Sequence, residues 1–242
     1  KESKAIIFIH GFGGDLNNWM FNQEELSKSF NTFAIDLPGH GSSSKNISKG
    51  DIFYLSDIIF KFCEAQKLKK INLVGHSLGG GISLSFALNN SDLISSLTLI
   101  SPIGLGEEID SEYIEEFIKA DSRKELKVQL EKLYFNNEIL TRDLINEVLK
   151  FKRLDGTTDA LQKIMTESLL LNLKQKNQFR DQIQSLSCPI TIIWGNEDKI
   201  IPVNHSEKLP TNFKVQLIHE AGHMAHIEKP NEINSIIQKN LA

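Results

Sequence analysis

The stretch NLVGHSLGGGISL, residues 72–84, sets Ser77 between Gly75 and Gly79, behind an apolar run and ahead of a glycine-rich segment with helical patterning. Gly75-His76-Ser77-Leu78-Gly79 has the form GxSxG, a sharp strand-to-helix turn that lifts a serine hydroxyl above the end of a sheet. Such a turn needs flanking positions without bulky side chains, hence a glycine on either side. Serine and glycine also mark ordinary turns. The reading of Ser77 therefore depends on whether the rest of the chain supplies what a serine nucleophile requires.

Outward from this turn, short apolar runs recur at 4–10, 30–36, 70–76, 96–101, 190–194 and 214–220. The first, third and fifth are nearly continuous in Ile, Val, Leu and Phe, the pattern of strands buried on both faces of a mainly parallel sheet. Helix-patterned segments lie between them. Residues 51–68 carry Ile52, Leu55, Ile58, Ile59, Phe62 and Cys63 on one stripe. Pro230 stands near the start of a last helix, where its missing N–H does no harm. Strand alternating with helix reads as a doubly wound α/β fold. From about residue 104 to about 185 the alternation stops, and only amphipathic helical segments are expected. Ser122 with Glu125 forms a capping-box pattern, Thr141 is placed to cap the next helix, and a further helix is expected from Thr158 toward Leu173. The expected organisation is one domain over residues 1–242, with a core of 1–103 and 186–242 and a helical cap over about 104–185.

A serine hydroxyl is a weak nucleophile at neutral pH and needs a histidine base oriented by a carboxylate. WGNEDKIIP (194–202) offers Asp198 just past the fifth apolar run, with Glu197 beside it as a rival. HEAGHMAHIEKP (219–230) offers His223 after the Gly222 turn, with His226 as its competitor. Serine, acid and histidine thus follow one another in the order used by nucleophile turns of this kind. All three fall after strands, where an open α/β sheet forms its ligand crevice. HGFGGD (10–15) follows the first strand, and its glycines let a backbone N–H, that of Phe12, face a developing oxyanion; the N–H of Leu78 is the expected second donor. His10, His40 and His76 read as hydrogen-bonded scaffolding in turns.

Other chemistries are poorly served. A chain of 242 residues with net charge -4 has no basic footprint for nucleic acid. Its two cysteines, Cys63 and Cys188, have neither disulfide-framework nor zinc spacing. His223 and His226 lack an HExxH context or a third ligand. GFGGDL has Leu16 where a dinucleotide fingerprint needs its last glycine, and GGG at 79–81 lacks the Lys-Ser/Thr of a phosphate loop. No metal and no cofactor is expected. No run approaches the ~20 apolar residues of a membrane span, so a cytoplasmic location is expected. The chain opens on lysine and enters a strand almost at once, as a piece of a longer polypeptide would.

HGFGG, DLPGHGSS (36–43), GHSLGG, WGNEDKIIP and GHMAHIEKP together resemble the α/β-hydrolase superfamily along the whole chain. GFGGDLNNWMFNQ (11–23), SPIGLGEEID (101–110) and FKRLDGTTDAL (151–161) are more narrowly similar to the hydrolase-like domain of the dihydrolipoyl acetyltransferase components of acetoin-cleaving dehydrogenase complexes. The resemblance implies the α/β-hydrolase fold and catalytic Ser77, Asp198 and His223, with Asp198 preferred over Glu197. It also implies acyl transfer through an acyl-enzyme on a small ester, thioester or ketone, beside other components of a dehydrogenase complex. A stand-alone carboxylesterase, a carbon–carbon bond hydrolase and a non-catalytic binding domain are the alternatives. The chain departs from the family in two respects. No antiparallel strand pair precedes HGFGG, and Asp155-Gly156 has Phe151 where the His-x-x-x-Asp-Gly motif of ordinary dihydrolipoyl acyltransferases has histidine. Acetyl transfer by this chain would therefore run through Ser77.

Overall fold

The computed structural model describes residues 5–241. Lys4, assigned from sequence to the first strand, lies outside the described residues, as do residues 1–3 and 242 of the expected core. In chain order the strands are β1 (Ala5–Ile9), β2 (Asn31–Ile35), β3 (Ile71–His76), β4 (Ile94–Ile100), β5 (Leu170–Leu171), β6 (Lys174–Gln175), β7 (Ile190–Gly195) and β8 (Lys214–Ile218). The helices are α1 (Met20–Leu26), α2 (Ile52–Ala65), α3 (Leu78–Asn89), α4 (Ser111–Lys119), α5 (Arg123–Glu131), α6 (Arg142–Lys152), α7 (Thr157–Ile164), α8 (Ala225–Glu228) and α9 (Pro230–Leu241). Six strands form one parallel sheet in the order β2-β1-β3-β4-β7-β8.

Side chains alternate across this sheet. Ile7, Ile9 and Leu73 pack into the core on the α2–α3 side, while Ile6, Phe8 and Val74 face Trp19, Ile233 and Ile237 on the other. Burial on both faces explains why β1, β3 and β7 read as continuous apolar runs. The outer strands β2 and β8 keep exposed positions, as edges do. The strand order turns back between β1 and β3: the chain leaves β1 for β2 on one side and returns to β3 on the other. Ile9 stands opposite Gly75 there, so the loops that follow β1 and β3 open at one topological switch point, where such sheets form a crevice.

The insertion between β4 and β7 is mostly helical, as expected. Ser122 and Glu125 form the capping box of α5, and the Thr141 hydroxyl accepts from the N–H of Leu144 at the start of α6. Two expectations need correction. The helix begun near Thr158 does not reach Leu173; α7 ends at Ile164, a single π-helical turn (Met165–Leu169) follows, and β5 and β6 then form a small antiparallel hairpin. The strand-free reading of this region therefore fails at 170–175, because pairs of two residues are too short to show a period. The turn between them is made by Asn172 and Leu173, both at positive φ.

The insertion is tied together by Lys152, a buried lysine at the end of α6. Its ammonium donates to the carbonyls of Phe117, Ile118 and Ala120, satisfying the open C-terminal end of α4, and lies 5.0 Å from the centroid of the Phe117 ring. Burial pushes its pKa down to about 8. The position of Phe117 and Tyr113 on α4 thus depends on a side chain some 35 residues downstream.

Candidate active site

Ser77 sits at the turn from β3 into α3 with φ 53° and ψ -115°, outside the regions that L-residues ordinarily occupy. Its N–H donates to the carbonyl of Ile100 at 3.0 Å and its own carbonyl accepts from Gly81 and Ile103, so the strained residue is held from three sides. The two glycines are required by contact. A Cβ on Gly79 would lie 2.1 Å from the carbonyl oxygen of Ile9, and one on Gly75 would lie 2.4 Å from that of Gly79. The side chain of Ser77 is 7% exposed, and its hydroxyl makes no hydrogen bond among the described residues.

Asp198 lies just beyond β7, with its side chain fully buried. Its Oδ1 accepts from the N–H groups of Ile200 and Ile201 at 2.8 and 3.0 Å, which fixes the carboxylate, and its Oδ2 accepts from Nδ1–H of His223 at 2.8 Å. With Nδ1–H so engaged, Nε2 is the nitrogen left to accept a proton. The structure separates the rival acids: Glu197 turns to the loop and accepts from the N–H of Ala221 at 3.0 Å. It steadies the segment carrying the histidine without reaching the ring.

Ser77 and His223 line one cavity of about 70 Å³, together with Phe12. This is space for a few water molecules. Its far wall comes from the insertion, with Tyr113 and Phe117 of α4, Leu130 of α5 and Tyr134 among the contributors. The N–H of Leu78 belongs to the first turn of α3 and has no intrahelical acceptor. The N–H of Phe12 likewise finds no partner among the described residues.

The remaining histidines explain themselves by their bonds. His10 Nε2 accepts from the N–H of Leu37, and His40 Nε2 accepts from the N–H of Gly13, so both support the glycine loop that holds Phe12. Burial holds both rings below the ordinary histidine range, in the state that can accept. His76 is the last residue of β3 rather than part of a turn, and its Nε2–H donates to the carbonyl of His223 at 2.9 Å. His226 is not among the residues lining the cavity. It is fully buried between Trp19 and His76, with ring centroids at 4.4 and 4.6 Å, and neither of its nitrogens has a partner among the described residues.

His226 makes the site's foundation sensitive to acid. Burial, and secondarily the neighbouring His223, push its pKa down to about 3, against about 6.5 for an unfolded histidine. Between those values the unfolded chain binds the additional proton. The stability associated with neutral His226 is therefore intact above about pH 6.5 and falls by about 1.4 kcal/mol for each pH unit below it, down to about pH 3. Thermal melts between pH 7 and pH 5 should show a shallower decline for His226→Phe than for the unmodified protein, by about 2 kcal/mol at pH 5; parallel curves would contradict this.

A residue that sequence reasoning did not reach joins the two sides of the cavity. Glu228 accepts from the N–H of Gly222 through Oε2 at 2.7 Å and, through Oε1, from the N–H groups of Phe135 and Asn136 at 2.8 and 3.0 Å. The N–H of Met224 adds a bond to the carbonyl of Leu133 at 3.2 Å. The segment GHMAHIEKP contains this glutamate, but no spacing rule announces a carboxylate that bonds to backbone in two distant places.

Parallel sheet, strained serine turn and carboxylate–histidine pair together define a class of protein. The model for the α/β hydrolase fold matches residues 4–230, and the chain belongs to that family. Among its relatives, the chain is 35% identical over 239 residues to the dihydrolipoyllysine-residue acetyltransferase component of the acetoin cleaving system of Cupriavidus necator, covering 99% of this chain and 64% of the relative. It is 37% identical over 231 residues to the component of the same name from Pseudomonas putida, covering 95% and 61%. The chain thus spans less than two thirds of the length of these relatives. In fold it is similar to the meta-cleavage product hydrolase CumD of Pseudomonas fluorescens IP01, with a TM-score of 0.88 at 20% identity over 99% of this chain and 90% of that one. Among the described residues no helix is long and apolar enough to cross a membrane.

Proposed function

We propose that this chain is an acyl-transfer enzyme working through a Ser77–His223–Asp198 triad. The observation that carries this is the buried Asp198–His223 pair, with Nε2 left as the basic nitrogen, beside a cavity that His223 shares with a conformationally strained serine. Nε2 takes the proton of the Ser77 hydroxyl as Oγ bonds to the substrate carbonyl carbon, and Asp198 stabilises the imidazolium so formed. The N–H groups of Phe12 and Leu78 receive the oxyanion. His223 then returns the proton to the departing alcohol, thiol or carbon fragment, leaving an acyl ester on Ser77. A second nucleophile, activated by the same nitrogen, clears that ester. Catalytic hydrogen bonds commonly tighten only once substrate is bound, so the bond from the Ser77 hydroxyl to Nε2 belongs to the substrate complex.

The likeness to acetoin-system acetyltransferase components supports a thioester or ester as donor and a dehydrogenase complex as the setting. Brief exposure of the protein to acetyl-dihydrolipoamide, acetyl-CoA and short-chain esters, each separately, followed by intact and peptide mass spectrometry, tests this. An acetyl group on Ser77 from at least one donor is the expected result. Acetylation at another residue, or none from any donor, would overturn the assignment. The acceptor that removes the acetyl group distinguishes transferase from hydrolase.

A further inference from the structure

Two tyrosines on the insertion pack their rings into the core but carry hydroxyls that this packing does not use. Tyr113, in the first turn of α4, and Tyr134, just after α5, are each 4% exposed and both line the cavity. Neither phenol hydroxyl has a hydrogen-bond partner among the described residues. Among the described residues, the only hydrogen bond of Tyr113 outside its helix runs from its backbone N–H to Asp110. Although both residues are buried, neither hydroxyl belongs to the fully covered polar atoms left without a partner, so each retains accessible surface that a ligand oxygen can meet. Phenylalanine would fill either position as well if packing alone were needed.

Their surroundings restrict what they can receive. Among the described residues that line the cavity there is no aspartate, glutamate, lysine or arginine, and apart from the reacting groups, Asn18, His76 and the two tyrosines the wall is apolar. A carboxylate or phosphate placed there would be buried without a counter-charge, which is strongly unfavourable. An uncharged oxygen would instead find two hydroxyls able both to donate and to accept. Burial pushes both phenols above their ordinary range, that of Tyr113 further with Tyr134 nearby, so both retain their protons.

We infer that Tyr113 and Tyr134 bind a second, uncharged oxygen of the substrate, a hydroxyl or carbonyl apart from the one Ser77 attacks, and so select neutral oxygenated acyl compounds over both plain alkyl esters and carboxylates. This rests on the proposed reading of the site, since it takes the carbonyl at Ser77 as the reacting one. Both tyrosines sit on the insertion and Ser77 on the sheet, so one substrate would be held at both ends across the cavity.

Binding to the Ser77→Ala protein, followed by ligand-observed NMR, tests the inference without turnover. The probes are methyl butanoate, its 2-, 3- and 4-hydroxy derivatives, and monomethyl succinate as the charged counterpart. At least one hydroxy ester should bind about tenfold more tightly than methyl butanoate, as one well-made hydrogen bond allows, and monomethyl succinate should bind most weakly. Adding Tyr113→Phe and Tyr134→Phe should abolish that preference; if the double replacement unfolds the protein, each single variant should reduce it. No preference among the neutral esters, a preference that survives both replacements, or tighter binding of the carboxylate would each overturn the inference. The acetyl adduct on Ser77 reports separately on the nucleophile, so either result can fail without the other.

Discussion

Ser77→Ala is expected to eliminate labelling by a fluorophosphonate probe and to lower kcat for activated esters by on the order of 10⁵- to 10⁶-fold, the loss seen when a triad serine is removed. The substitution is clean in structural terms. Among the described residues the Ser77 hydroxyl has no hydrogen bond to lose, and the bonds that hold the turn, from Ser77 N–H to Ile100 and from Gly81 and Ile103 to the Ser77 carbonyl, are all backbone. The backbone bonds of the turn are unchanged by the substitution, so a large loss of activity with an unchanged Tm would isolate the chemistry. Residual catalysis over water would remain from the N–H groups of Phe12 and Leu78. Persistent labelling at a different residue would remove Ser77 from the mechanism.

The second large effect is expected at Asp198. Asparagine can keep the two bonds that its oxygen accepts from Ile200 and Ile201, but it then presents an NH₂ group to His223 where Oδ2 now accepts. The ring must answer with an unprotonated Nδ1. Its proton moves to Nε2, which can no longer accept from Ser77. A decrease in kcat on the order of 10⁴-fold follows for a triad aspartate exchanged in this way. Glu197→Gln is the internal control: its oxygen can still accept from Ala221, and nothing about the tautomer of His223 changes. Steady-state kinetics of the two variants should differ by orders of magnitude, and the reverse ranking would exchange their roles.

Much of this arrangement was legible because its requirements are local. Gly75 and Gly79 stand where a Cβ would collide with backbone, and β1, β3 and β7 are apolar throughout because both of their faces are covered. The order of Ser77, Asp198 and His223 along the chain follows from strand ends meeting at one side of a parallel sheet. Adjacent Asp198 and Glu197 could not be told apart from the residues alone, since the distinction lies in which carboxylate faces a ring 25 positions away. Resemblance favoured Asp198, and in the structure its carboxylate is the one that meets His223. Tyr113 and Tyr134 lie in the stretch expected only as amphipathic helices, because a period reports burial and is silent on whether a hydroxyl has found a partner. Glu228, Lys152 and the hairpin at 170–175 escaped for a related reason: each depends on backbone groups brought near by the tertiary fold.

The bonds of Glu228 carry a mechanical consequence. Its two oxygens pin the loop that bears His223 to residues 135 and 136, while Met224 N–H holds the carbonyl of Leu133. Those residues border Tyr134, so the stretch that walls the cavity and the loop that carries His223 are fastened as one piece. Any swing of this stretch away from the sheet must either unfasten these bonds or drag His223 with it.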